Sequence, residues 1–186
     1  MGAALDSLVP ELQPFARNLV DAASRAGYQP RVTSTVRSRA EQKRLHDRYL
    51  AGGSPFYAAP PGQSSHEYGW ALDVVPAAID TNWQLALKQL KVMGRFWRSM
   101  GGHWGGPTHD PVHFELPGAS ATAVRLAGSG ASPSEEHPGF LERLHALTEA
   151  HPYLSFLLGF VPYVGEAEII AEAGYYGKKF ADYLRG

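Results

Sequence analysis

The chain contains no cysteine, and this constrains it more than any other single feature. Neither a disulfide framework nor a thiolate metal site can stabilise the fold, so any metal must be bound by imidazole and carboxylate groups. Stability must therefore come from a hydrophobic core. With 186 residues, of which 44% are hydrophobic and 19% charged, the chain is long enough for one ordinary domain and a shorter appendage.

Charge and hydropathy exclude several classes of partner. The formal net charge of -1 argues against a nucleic-acid partner, because neutralising phosphates requires a basic surface. The N-terminal residues lack a basic stretch followed by an apolar core, so no secretory signal is legible. Residues 153–164 are almost entirely apolar but fall short of the roughly 18 residues that a bilayer span requires, so a transmembrane span is not expected.

A run of small residues from Gly128 to Ser134 contains no apolar anchor and predicts a domain boundary. We therefore predict a domain over residues 1–125, a linker over 126–135 and a helical accessory segment over 136–186. In the accessory segment, Pro138 is placed for a helix start, and apolar residues follow at helical spacing. These helices are expected to dock on the domain or on a protein partner.

Hydrophobic periodicity assigns the elements of the main domain. Helices are predicted over residues 8–26, 38–50 and 83–100, the last with Trp83, Leu87, Leu90 and Trp97 on one face. Strands are predicted over residues 31–36, at the end of 64–75, and over 112–116. The predicted fold class is α+β, a small antiparallel sheet flanked by helices with a C-terminal helical appendage.

Two sequence segments concentrate the residues able to bind a metal. They read SSHEYGWALD over residues 64–73 and DPVHFE over residues 110–115. Two imidazoles and one carboxylate form a complete ligand set for catalytic zinc and leave the fourth position for water. His66 and Asp73 fit such a site if His66 ends a loop and Asp73 lies on the strand that follows, with Gly69 and Ala71 allowing close approach of the backbone.

These segments belong to three blocks that resemble the zinc D,D-carboxypeptidases and L-alanyl-D-glutamate endopeptidases, the VanY-like peptidase family M15 that includes many phage endolysins. The blocks are STVRSRAEQ over residues 34–42, PGQSSHEYGWALD over 61–73, and GGHW to DPVHFEL over 101–116. The first block usually reads Ser-Gly-Tyr-Arg-Ser in the family, so Thr35 and Val36 depart from it while Arg37 is retained.

The resemblance implies a role for particular side chains. His66, Asp73 and His113 would bind Zn²⁺, and Asp110 would be the general base. Arg37 would pair with a substrate carboxylate or stabilise the oxyanion, since a guanidinium suits both tasks. Ser64 is a weaker candidate for a substrate contact.

Five further residues have alternative interpretations. Trp104 is predicted either to belong to the core or to wall the substrate cleft. Glu115 lies two residues beyond His113 on a predicted strand, so it shares the same face and is a candidate partner for that ligand. Glu67 directly follows a ligand and should point elsewhere. His103 and His109 are predicted to be loop residues beside the site.

The resemblance implies hydrolysis of peptidoglycan stem peptides in the bacterial cell wall, in the periplasm. An aspartate base resembles the endolysin-type enzymes, which favours cleavage between L-alanine and D-glutamate by a phage endolysin or a virion-associated lysin. Without a legible signal, such an enzyme would be released by phage lysis or carried in a virion. The alternatives are a D-Ala-D-Ala carboxypeptidase of wall remodelling and a non-catalytic zinc-fold protein that binds the wall or builds a virion.

Overall fold

The computed structural model describes residues 2–54 and 56–129, so the predicted helices of the accessory segment lie outside the described residues. The helices are α1 (Gly2–Leu5), α2 (Gln13–Arg25), α3 (Arg39–Leu50), α4 (Trp83–Ser99) and α5 (Ala119–Ser129). The strands are β1 (Arg31–Ser34), β2 (Ala71–Val75), β3 (His103–Trp104) and β4 (His113–Glu115). Short 3₁₀ turns span Ser65–Tyr68 and Ala77–Asp80. The α+β fold class is confirmed.

The four strands form one antiparallel sheet in the order β1-β2-β4-β3. Its central strand β2 is buried except at Asp73, which is half-buried, as expected for a strand covered by protein. Asp73 lies opposite Ser34 of β1 and opposite His113 of β4. Strand pairing alone therefore brings two of the predicted metal ligands together.

The core lies on the other face of this sheet. Leu72, Val74 and Phe114 contribute to it from β2 and β4, whereas Asp73 and His113 alternate with them and so point away. Helices α2 and α4 cover the apolar face, where the Trp97 ring contacts Phe114 edge-on at a centroid distance of 5.8 Å. The two candidate ligands thus lie on the face of the sheet opposite the core.

Two predicted helices differ in detail from the observed ones. Helix α2 begins at Gln13 rather than at residue 8, with Pro14 in its first turn, where a missing N–H costs nothing. In α4, Trp83 is 50% exposed, and the buried stripe is instead Ala86, Leu90, Met93 and Trp97. Ala86, four residues before Leu90, takes the place in the stripe that the sequence pattern gave to Leu87.

Helix α5 was not predicted. It buries Ala119, Ala123 and Leu126, so residues 126–129, assigned to a linker, complete a helix whose last apolar side chain belongs to the core. Its weakly apolar sequence of small residues gave no clear helical stripe. Among residues 2–54 and 56–129, no helix is long and apolar enough to cross a membrane.

Candidate metal centre

Three donor atoms converge on the polar face of the sheet: His66 Nε2, Asp73 Oδ1 and His113 Nδ1. The two nitrogens are 3.2 Å apart, and the Asp73 oxygen lies 3.3 Å from His66 and 3.2 Å from His113. Ligands about 2.0–2.1 Å from a tetrahedral zinc ion lie about 3.3 Å from one another. This triangle therefore has the size that zinc requires, and no other set of three such side chains is found within the described residues.

His66 reaches this position on the 3₁₀ turn, which Gly69 closes in the left-handed conformation (φ 71°). The ring is 3% exposed, and its Nδ1–H donates to the Thr35 carbonyl at 2.7 Å. A neutral imidazole that donates from Nδ1 keeps its lone pair on Nε2, the atom in the triangle. A Cβ on Gly69 would meet Val9 and Val36, so this glycine serves the turn and not an approach to the metal.

The same contact explains why β1 ends at Ser34, two residues earlier than predicted. The Thr35 carbonyl accepts from the His66 ring, and the Arg37 N–H donates to the His66 carbonyl at 3.1 Å. The backbone beyond Ser34 therefore bonds to the turn that carries His66 instead of extending the sheet.

Asp73 is supported from behind by Arg37. One guanidinium nitrogen of Arg37 lies 3.5 Å from Asp73 Oδ2 and donates to Ser34 Oγ at 3.0 Å. The other donates to Gln42 Oε1 at 2.8 Å, and the buried Gln42 donates in turn to the Ala59 carbonyl. Burial alone would raise the pKa of Asp73, but the adjacent imidazoles of His113 and His66 hold it well below the usual range. The carboxylate is thus kept ionised, as a ligand must be.

His113 is supported by Glu115, as strand alternation predicted. Its Nε2 lies 3.2 Å from Glu115 Oε2, and Glu115 is 2% exposed. Burial alone would lower the pKa of His113, but the adjacent carboxylates of Asp73 and Glu115 raise it. His103 also contacts Glu115 and lies on β3 opposite it, so its predicted loop position is wrong. A two-residue strand leaves no periodicity to detect. His109 is an exposed loop residue, as predicted.

Asp110 lies in the loop that joins β3 to β4, three residues before His113. Partial burial raises the pKa of its carboxyl; the positive charge of His113 opposes this rise, and the negative charge of Asp73 adds to it. The Asp110 carbonyl accepts from the His113 N–H at 3.3 Å, so the residue lies directly beside a candidate ligand. A Cβ on Gly105 would come within 2.4 Å of the Asp110 carbonyl oxygen, so the loop closes tightly around this residue.

Two of the predicted substrate-binding residues have other roles. Ser64 is 7% exposed and begins the 3₁₀ turn, where its N–H and that of Gly62 donate to the Glu67 carboxylate. Glu67 thus points away from the triangle, as predicted. Trp104 is 4% exposed, and its Nε1–H donates to the Pro111 carbonyl at 2.8 Å. It belongs to the core, which is one of its two predicted positions.

An α+β domain with two imidazoles and a carboxylate in one triangle, and a second carboxylate beside it, has the features of a metallopeptidase. The chain belongs to the VanY family of D-alanyl-D-alanine carboxypeptidases, whose model matches residues 6–100, just over half of the sequence. The match contains His66, Asp73 and Arg37 and ends before Asp110 and His113.

Two solved structures are similar to the chain. One is a mutant of the vancomycin resistance D,D-pentapeptidase VanY from a VanB-type resistance cassette in complex with Zn(II), with 23% identity, a TM-score of 0.44, and coverage of 67% of this chain and 80% of that one. The other is VanYB in complex with D-alanine-D-alanine, with 22% identity, a TM-score of 0.41, and coverage of 67% and 78%. No curated protein matches the chain.

Proposed function

We propose that this protein is a zinc D,D-carboxypeptidase that removes the terminal D-alanine from peptidoglycan stem peptides. The observation that carries the proposal is the ligand triangle with Asp110 beside it, in a chain of the VanY family. The family description names D-alanyl-D-alanine carboxypeptidase activity. Wall peptides are therefore the substrates to test first.

The donor set fits zinc better than it fits magnesium or calcium. Two imidazole nitrogens and one carboxylate oxygen suit a four-coordinate borderline ion, whereas magnesium and calcium require mostly oxygen ligands. When bound, zinc supplies Lewis-acid chemistry, since it polarises a carbonyl and makes a water molecule acidic near neutral pH. His66, Asp73 and His113 are the residues that would hold it.

Asp110 is the proposed general base. Its carboxyl is outside the ligand triangle, and the charges of Asp73, His66 and His113 influence its pKa. In this role it takes a proton from the attacking water and then gives it to the leaving amine of D-alanine. A raised pKa suits both transfers, because the group must accept the proton in one step and release it in the next.

Arg37 is proposed to bind the substrate or its oxyanion in addition to supporting Asp73. Its contacts with Ser34, Gln42 and Asp73 involve two terminal nitrogens and leave other N–H donors of the guanidinium available. The C-terminal carboxylate of a stem peptide is a suitable partner for such a fork. Its side chain is 15% exposed, so one edge remains accessible.

A second candidate is cleavage between L-alanine and D-glutamate. The observation that favours it is the aspartate at position 110, because the carboxypeptidase branches of the resembling enzymes usually have glutamate there. Release by phage lysis, or carriage in a virion, is a further prediction attached to this candidate.

The two candidates release different products from one preparation. The full chain is loaded with zinc and incubated with purified peptidoglycan and with a synthetic stem pentapeptide, and the products are identified by mass spectrometry. Free D-alanine and a shortened stem peptide are expected for the carboxypeptidase. A new N-terminal D-glutamate without free D-alanine would replace that proposal with the endopeptidase.

The matched variant is Asp110→Ala, which we expect to bind zinc as the wild type does and to release no product. Loss of zinc in this variant would show that Asp110 is a ligand and not the base. If zinc-loaded wild type also releases nothing from either substrate, both candidates are wrong, and a non-catalytic wall-binding or virion role takes their place.

A further inference from the structure

Glu115 is a buried carboxylate that is neither in the ligand triangle nor the proposed base. It is 2% exposed, yet it accepts hydrogen bonds through both oxygens. Oε1 faces His103 Nδ1 at 2.9 Å, and Oε2 accepts from Ser120 Oγ at 2.6 Å and faces His113 Nε2 at 3.2 Å. The Ser120 hydroxyl donates to Oε2, so this oxygen acts as an acceptor.

The acceptor role of Glu115 Oε2 dictates which nitrogen of His113 carries hydrogen. Because Oε2 accepts from Ser120, the facing Nε2 of His113 must be the nitrogen that donates. A neutral imidazole has one lone pair, which then lies on Nδ1. Nδ1 is the atom that lies 3.2 Å from both Asp73 Oδ1 and His66 Nε2. The tautomer that Glu115 favours is the one that presents the lone pair to the metal position.

Ser120 restrains Glu115 from a different element. It lies in the first turn of α5, and its hydroxyl shares Oε2 with the His113 ring. The same helix packs against the 3₁₀ turn that carries His66. Helix α5, which has no ligand of its own, is therefore in contact with the supports of both histidines.

We propose that Glu115, restrained by Ser120, is a positioning residue that holds His113 in the Nε2-protonated tautomer so that Nδ1 binds the metal. This inference rests on the zinc site of the proposed function. It does not depend on which peptide bond is cleaved. It gives α5 a role in metal affinity that no pattern in the sequence of α5 indicates.

The first test compares zinc affinities of the full chain and its variants by competition with a chromogenic chelator. Glu115→Gln keeps the shape of the side chain but replaces one acceptor oxygen by an N–H₂ group, which faces other donors. We expect zinc affinity to fall about 10- to 100-fold, as it does when other ligand histidines lose their hydrogen-bond partner. Ser120→Ala should reduce it by a few-fold. Ser129→Ala, a serine at the far end of the same helix, should leave it unchanged. Wild-type affinity in both Glu115→Gln and Ser120→Ala would overturn the proposal.

The second test uses the wild type and so does not depend on a variant folding. Nitrogen-15 NMR of labelled histidines in the zinc-loaded protein should show hydrogen on Nε2 of His113 and the metal-induced shift on Nδ1. Hydrogen on Nδ1 with zinc on Nε2 would overturn the proposal while leaving the zinc enzyme intact. If the wild type binds no zinc, the proposed function fails together with this inference.

Discussion

The three candidate ligands lie on regular structure, whereas Asp110 lies in the loop between β3 and β4. Asp73 and His113 are paired across neighbouring strands, and His66 is fixed by a turn whose backbone bonds to the residues after β1. Each ligand also has its own partner behind it, namely Thr35, Arg37 or Glu115. Several independent contacts would have to break before any ligand moved.

The base side has fewer restraints. The carboxylate of Asp110 is only partly buried and accepts a hydrogen bond from the Val112 backbone. The loop around it is closed by the Gly105 N–H, which donates to the His113 carbonyl at 3.0 Å, and by Trp104, which donates to the Pro111 carbonyl. Small changes in these two hydrogen bonds can move Asp110 while the ligand triangle stays in place.

This difference separates two kinds of mutational effect. Changes on the ligand side should alter metal affinity and stability together, because binding and folding share the same contacts. Changes on the base side should lower kcat at unchanged metal content, because only the position of the proton acceptor is altered.

The largest effect is expected for Asp73→Ala. It removes a ligand and takes away the carboxylate that faces the Arg37 guanidinium and the two imidazoles. Loss of a contact that only supports a ligand typically costs up to about 100-fold in metal affinity, so zinc affinity should fall by more than this. The free energy of unfolding should fall by a few kcal/mol. Chelator competition and urea unfolding measure both.

The control for this variant is Asp80→Ala. Asp80 also pairs with an arginine, Arg31, but both side chains are more than half exposed, so stability should change by less than about 1 kcal/mol and zinc affinity not at all. Tight zinc binding by Asp73→Ala would remove Asp73 from the ligand set.

The ligand side was predictable from the sequence because short sequence segments contain the residues that form it. His66, Asp73 and His113 occur at fixed spacings, and the alternation of a strand places Glu115 on the same face as His113. The bounds of α3 and α4 were also predicted closely, since Ser38 caps α3 and Gly101 follows α4. In these places, the end signals agree with the observed helices.

The rest depends on contacts between distant segments. No local pattern indicates that the Thr35 carbonyl would bond to His66, or that Ser120 of α5 would reach Glu115. Trp104 lies in a glycine-rich segment that is typical of a loop, yet its ring packs over Gly94, where a Cβ would come within 2.1 Å. That space exists only once α4 lies beside β3.

The intermediate effect is expected for Gly105→Ala. The added Cβ would meet the Asp110 carbonyl at 2.4 Å, so the loop must shift and carry the base with it. Since a displacement of about 1 Å can cost on the order of 100-fold, we expect kcat to fall 10- to 100-fold while zinc affinity stays within about two-fold. The control is Gly128→Ala, where nothing lies within 4 Å of the new methyl group. Unchanged kcat in Gly105→Ala would mean that this close contact does not position Asp110.

The smallest effect is expected for Trp104→Phe, which keeps an aromatic ring in the core but removes the N–H that donates to the Pro111 carbonyl. A buried acceptor without its donor and a smaller ring should together lower the free energy of unfolding by about 1–3 kcal/mol. Because Pro111 directly follows Asp110, kcat should fall a few-fold at unchanged zinc affinity. Trp83→Phe is the matched control, since Trp83 is 50% exposed at the start of α4 and should change neither quantity. The contrary outcome is that Trp104→Phe lowers stability but leaves kcat at the level of that control. In that case the Trp104–Pro111 hydrogen bond stabilises the fold without positioning the base. The close contact at Gly105 alone then determines how the loop closes.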